Sequence, residues 1–340
     1  MPKNDHYVII GNGPAGNAAA DTLRANDKLA RISIISDEMF TFYYRHKLPQ
    51  FLAGAVDEDA LKVRPYTVYK DNNIRMRLGQ CVERIDPESR TLYLKHMEKV
   101  HYTRLLLATG GKAFVPPSLS GLHKHLTFLT RYTDALQIKP QIQAAQSILI
   151  LGGDLVSLNV QQQLTRMKKT VYFALNPDSF WPLKLTPDMA ARIQKNLEKK
   201  GVASCVAGDI HSITPQKNGK LEVVLDKNCA FTVDIVGCFM GLTPNIQFIL
   251  GSGIDTERGV LVDDHLRTNY KDVYACGDCA QIYNPELKDY WVSIGWHNAE
   301  LQGRTAALNI LGDNKVIKPQ KKGVLQVEGI KVNTSWWKNF

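Results

Sequence analysis

Short, solid apolar runs punctuate the chain, and small-residue turns follow several of them. "YVII" (7–10), "RISIIS" (31–36), "LLL" (105–107), "ILIL" (148–151) and "VYFAL" (171–175) are too continuous for half-exposed strands. They predict strands buried on both faces, as in a parallel sheet. The first and fourth runs each enter a glycine turn and then a stretch with helical spacing. Residues 296–312, "WHNAELQGRTAALNILG", predict a further amphipathic helix. Strand, turn, helix, strand, occurring twice, predicts an α/β fold of two doubly wound, three-layer (Rossmann-like) domains.

The first turn, "YVIIGNGPAGNAAA" (7–20), holds Gly11, Gly13 and Gly16, with Pro14 and Ala15 between the last two. Gly11 permits the tight turn, Gly13 lets backbone approach a pyrophosphate, and Gly16 lets helix and strand pack closely. The helix start then offers free N–H groups and a positive dipole end to phosphate. Asp37 and Glu38 end the second strand, where an acid can hydrogen-bond an adenosine ribose. The second turn departs from this pattern: Gly152 is kept, but Asp154 and Ser157 replace the other two glycines, and Leu175 stands where the ribose acid belongs.

With 340 residues, the chain predicts more than one domain. It contains no apolar run of the roughly 18–20 residues that a membrane span needs. No signal-peptide core precedes the first strand, and six cysteines without a disulfide or metal spacing suit a reducing compartment, so the cytoplasm is the expectation. The net charge is +9. No basic helix or basic–aromatic interleaving accompanies it, which argues against nucleic acid and for an acidic protein partner.

Further segments join the first turn in one order: "LLLATGG" (105–111), "MGLTPN" (240–245), "YACGDCA" (274–280) and the helix from Trp296. Together they resemble FAD-dependent pyridine nucleotide-disulfide oxidoreductases over residues 1–312, within the subgroup of NADH:rubredoxin reductases, nitrite reductase NADH-binding subunits and ferredoxin reductases. The resemblance implies an FAD domain built from 1–115 and 241–312, with a nicotinamide-type domain inserted at 116–240. It implies FAD on Gly11, Gly13, Pro14, Ala15 and Gly16, with Asp37 and Glu38 at its ribose. Arg45 would lie near the phosphates and Val82 at the adenine. Ala108, Thr109 and Gly110 would run beside the cofactor, Gly277 and Asp278 at the ribityl chain, and Trp296 at the start of a helix aimed at the flavin; Trp296 also reads as a core aromatic. No metal site is expected.

The resemblance also shows what is missing. Disulfide and peroxide reduction in this superfamily need a cysteine pair after the first unit or one near 40–45, and "MFTFYYRHKL" (39–48) has no sulfur. Cys276 and Cys279 bracket Gly277 and Asp278 and read chiefly as small buried residues, with a redox role as the alternative. The subgroup's lysine–glutamate pair beside flavin N5 corresponds to Gln50 and Asn159, both neutral, so a neutral N5 environment is the expectation, with room for an amide–amide pair. A carboxylate about 4 Å from a phosphate costs roughly 4 kcal/mol at an effective dielectric near 20. Asp154 therefore reads as damage to the NAD(H) site, or else as a side chain pointing outward above a site that still binds loosely.

The expected function is an FAD-dependent oxidoreductase passing electrons between a donor and a rubredoxin-like or iron–sulfur protein. The donor is NADH in the family and is in question here. A non-catalytic flavin-holding subunit of a redox complex is the alternative. Family members continue for roughly 70–100 residues as an interface domain, whereas 313–340 is a short basic and aromatic tail. "VLQVEGIKVNTS" (324–335) predicts a hairpin around Gly329. Trp336, Trp337 and Phe340 predict packing on the chain itself or docking on another subunit.

Overall fold

The computed structural model describes residues 5–177, 185–206, 210–225, 229–286, 288–292 and 295–318, together with the backbone of 324–327 and 330–333. β1 (His6–Ile10) is buried at every position and turns at glycine into α1 (Pro14–Asn26). β2 (Arg31–Ile35) returns parallel to β1, pairing Val8 with Ser33. Three short helices follow: α2 (Leu48–Leu52), α3 (Glu58–Leu61) and α4 (Tyr66–Asp71). Next come β3 (Ile74–Arg77), an antiparallel meander of β4 (Val82–Asp86), β5 (Thr91–Leu94) and β6 (Lys99–His101), and then β7 (Arg104–Leu107).

The chain crosses to its second half on β8 (Gly111–Ala113). There it forms β9 (Leu126–Thr127), α5 (Tyr132–Ala144), β10 (Ser147–Gly152), α6 (Leu155–Arg166) and β11 (Thr170–Leu175). α7 (Pro187–Lys199) and β12 (Ala203–Val206) follow. A second meander, β13 (Ser212–Pro215), β14 (Leu221–Val224) and β15 (Ala230–Val233), leads into β16 (Ile235–Phe239). β17 (Leu242–Pro244) returns antiparallel to β8, so the outgoing and incoming crossings are tied together. The last part holds β18 (Val260–Val262), β19 (Val273–Ala275), β20 (Ala280–Asn284), β21 (Asp289–Trp291) and α8 (Trp296–Leu311). β22 (Val324–Val327) and β23 (Ile330–Asn333) pair antiparallel, forming the hairpin read from the sequence. Trp336, Trp337 and Phe340 lie outside the described residues.

Two five-stranded parallel sheets result, ordered β19-β7-β1-β2-β3 and β12-β11-β10-β16-β9. This meets the expectation of an α/β fold with two Rossmann-like units. The strands run as unbroken apolar stretches because both faces are covered; in the second sheet helices cover one face and the meander β13–β15 the other. α1 and α8 cross closely in the first unit: a Cβ on Gly303 would lie 2.1 Å from the Ala15 carbonyl oxygen, so only glycine permits that approach. The core of the second sheet is closed from outside its own segment. Leu48, Phe51, Leu52 and Leu61 pack with Ile138, Ile142, Leu158 and Leu164.

Candidate functional site

A cavity of about 1070 Å³ reaches from the first glycine turn to α6. Gly11, Gly13, Pro14 and Ala15 line it, and Gly16 lies just behind them. Gly11 has φ +117°, and a Cβ there would lie 2.0 Å from the Ala108 carbonyl oxygen. A Cβ on Gly16 would strike the Gly11 carbonyl oxygen at 2.1 Å, so that glycine keeps helix and turn together. Gly13 differs: a Cβ there meets nothing within 4 Å and would project into open space. Gly13 is also the N-cap of α1 and brings no side chain to its first-turn N–H groups. A pyrophosphate fits a glycine-lined helix start of this kind.

The two acids after β2 are both engaged by arginines. Asp37 pairs with Arg131 at 2.8 Å. Glu38 is buried, accepts from the Tyr43 hydroxyl at 2.7 Å and pairs with the Arg45 guanidinium. Burial pushes the Tyr43 phenol up, which keeps it a donor. Arg45 also donates to the Thr130 carbonyl at 2.8 Å. Asp37, Glu38, Arg45 and Val82 all line the cavity, as do Ala108, Thr109 and Gly110.

Asp278 and Gly277 form another wall. Burial pushes the Asp278 carboxyl up to about 6, against the Gly295 N–H and the Arg45 charge. Its Oδ1 is buried without a hydrogen-bond partner. An orphaned acceptor of this kind calls for a donor from whatever fills the cavity, and a hydroxyl of a polyol chain fits. Trp296 opens α8 at the border between the cavity and the first core. It lines the cavity and stacks on Phe42 at 4.9 Å and 14°. Its Nε1 donates to Glu300 at 2.9 Å.

At the far end of the cavity, α2 packs against α6 and brings Gln50 and Asn159 to the lining. Gln50 and Asn159 do not use the amide–amide pairing left open to them. The Gln50 amide donates instead to the His46 and Lys47 carbonyls, each 3.2 Å away, because those oxygens sit one turn back along the chain.

The second turn is built differently from the first. Asp154 is 6% exposed and is the N-cap of α6. One carboxylate oxygen accepts from the Ser157 N–H at 2.7 Å and the other from the Gly241 N–H at 3.2 Å. Burial pushes this carboxyl up to about 7, against those two amides and that of Val156. Asp154 thus does not point outward. Gly152 serves packing, since a Cβ there would lie 2.1 Å from the Phe173 ring. Ser157 and Leu175 are fully buried, and Leu175 offers no acceptor to a ribose.

Cys276 and Cys279 are buried, and burial pushes both thiols up. Cys279 Sγ donates to the Cys276 carbonyl at 3.3 Å, as a small core residue does. Asp263, Asp264 and His265 bring ligand atoms within 4.8 Å of one another. Asp263 spends its carboxylate on the N–H groups of His265 and Arg267. Tyr43, Thr130 and Arg131 carry no sequence signal of their roles, because no local motif marks a residue whose partner is distant in the chain, and the motif around Gly241 does not show that its N–H meets Asp154.

A family model described as pyridine nucleotide-disulphide oxidoreductase matches residues 5–303. The NADH-rubredoxin oxidoreductase of Clostridium acetobutylicum is 28% identical over 336 residues, covering 97% of this chain and 81% of that protein. The nitric oxide reductase FlRd-NAD(+) reductase of Escherichia coli is 28% identical over 312 residues, covering 92% and 80%. Among solved structures, putidaredoxin reductase in its covalent complex with putidaredoxin superposes with a TM-score of 0.84 at 24% identity, covering 95% of this chain and 78% of that one. NADH:rubredoxin oxidoreductase from Clostridium acetobutylicum gives 0.75 at 26%, covering 96% and 80%. Among the described residues, no helix is long and apolar enough to cross a membrane.

Proposed function

The chain belongs to the pyridine nucleotide-disulphide oxidoreductase family, and on that premise we propose an FAD-dependent oxidoreductase that passes electrons between a donor and a small redox protein. The observation that carries the reading is the unpartnered Asp278 Oδ1, which shares one cavity with the uncapped start of α1. FAD bound there would supply the electron-carrying chemistry. Gly11, Gly13, Pro14 and Ala15 hold its pyrophosphate, with Gly16 as their support. Asp37, Glu38 and Arg45 form a charged rim around its adenosine half, and Val82 flanks the adenine. Ala108, Thr109 and Gly110 follow its length, and Gly277 and Asp278 bind the ribityl chain. α8 directs its N-terminus at the flavin, with Trp296 as a wall.

FAD would occupy the unit formed by 1–115 and 241–312, and 116–240 forms the second. Relatives named NADH-rubredoxin oxidoreductase and FlRd-NAD(+) reductase support a small redox protein as partner. The net charge of +9 favours an acidic one. No cysteine stands in 39–48, and Cys276 and Cys279 are buried with their thiols pushed up, which supports electrons leaving without a protein thiolate.

The test is spectroscopic. Purified protein should carry a flavin band at about 450 nm. Asp278→Ala should weaken flavin retention about 10–100-fold, the cost of removing a hydrogen bond to a buried charged group. A folded, colourless protein that refuses added FAD overturns the reading.

A further inference from the structure

We propose that Asp154 is a built-in occupant of the second loop: its carboxylate takes the amides that a dinucleotide pyrophosphate would use and so excludes NAD(H) from this unit. The two helix starts have the same strand–turn–helix layout but opposite contents. α1 begins at a glycine with no side chain near its amides, beside open cavity. α6 begins at Asp154, whose carboxylate takes the Ser157 N–H from its own first turn. A second amide, that of Gly241, reaches its other oxygen from the connection between β16 and β17.

Two features keep the carboxylate in place. It is buried, so a move toward solvent would unseat packed neighbours. It is also held from two sides, since Ser157 Oγ donates to the Asp154 carbonyl while Gly241 holds the side chain. A phosphate arriving here would meet spent donors and, above about pH 7, a second negative charge. Both effects oppose binding, and a water-poor site strengthens them.

The rest of this end of the cavity remains polar. Asn159, Gln163 and Arg166 stand on one face of α6 at spacings of four and three, and all three line the cavity. Gln163 is 4% exposed, and its Oε1 has no partner. Exclusion therefore centres on one side chain and is open to reversal. Leu175 limits the recovery, because it gives the adenosine ribose no acceptor.

The test titrates FAD-loaded protein with ADP-ribose and with NADH by calorimetry, in the parent, Asp154→Asn and Asp154→Gly. Asparagine keeps the volume and the Ser157 cap but, as it removes the charge, turns an N–H toward the Gly241 amide in place of an acceptor. Glycine removes all three. The parent should show no saturable binding below the millimolar range. Asp154→Gly should bind ADP-ribose at least about 30-fold more tightly, with Asp154→Asn between the two. Micromolar binding by the parent would overturn the proposal, and that arm needs no variant to fold. So would two variants that keep parental melting temperature and flavin content yet bind no better. The proposal rests on the flavoenzyme reading for its setting, but the two fail separately: a colourless parent sinks that reading, whereas ADP-ribose affinity decides this one.

Discussion

Gly13 and Gly16 stand three residues apart and serve different masters. A methyl on Gly16 runs into the Gly11 carbonyl, whereas a methyl on Gly13 meets nothing in the protein. Gly16→Ala should therefore cost about 1–3 kcal/mol of folding stability through a clash that backbone cannot easily relieve. Gly13→Ala should melt like the parent when both lack flavin, yet retain little flavin, because its methyl enters cofactor space. Melting temperature and flavin-to-protein ratio separate the two. Asp154 makes a second prediction at this scale. Its folded value of about 7 lies above the ordinary 3.8, so between those values the folded chain holds a proton that the unfolded chain has shed. Its contribution is full in acid and is lost as pH rises through about 7. Asp154→Asn lacks that slope. Urea melts should show the variant gaining on the parent by roughly 2–3 kcal/mol between about pH 5 and 7.

At the scale of elements, the glycine beneath the α1–α8 crossing sets how deeply α8 seats. Gly303→Val would drive a branched side chain into the Ala15 carbonyl and force the helices apart. Thermal melts should fall by several degrees, the equivalent of about 1–3 kcal/mol, and flavin should be held more weakly because the start of α8 shifts with the helix. These units were legible in the sequence because their information is local. An apolar run, a glycine at a tight approach and a helix start lie within a dozen residues of one another. The contents of the second turn were half legible. Asp154 is visibly out of place there, but its direction is set by the Gly241 amide, 87 residues away. The rim was less legible still. Arg45 was expected toward phosphate, yet its pairing with Glu38 depends on how the 40–45 segment folds back over β2. Arg131 carries no signal at all until α5 is placed.

For the whole molecule, an excess of nine positive charges, with the acidic redox partner proposed above, makes salt-sensitive encounter the expected outcome. The second-order rate of electron delivery to a rubredoxin-type acceptor should fall at least about tenfold between roughly 50 and 500 mM NaCl, measured by stopped flow. A flat profile would remove charge from the account of docking. The shared core has a consequence for anyone who recombines this chain. Leu48, Phe51, Leu52 and Leu61 precede the second sheet in sequence but close its interior. A fragment spanning 116–240 would leave that seam wet and should collect in inclusion bodies or light up hydrophobic dyes. Chimeras with relatives should fold only when the donor's counterpart of 43–61 travels with its second unit, so the exchangeable module is larger than the stretch between the two crossings.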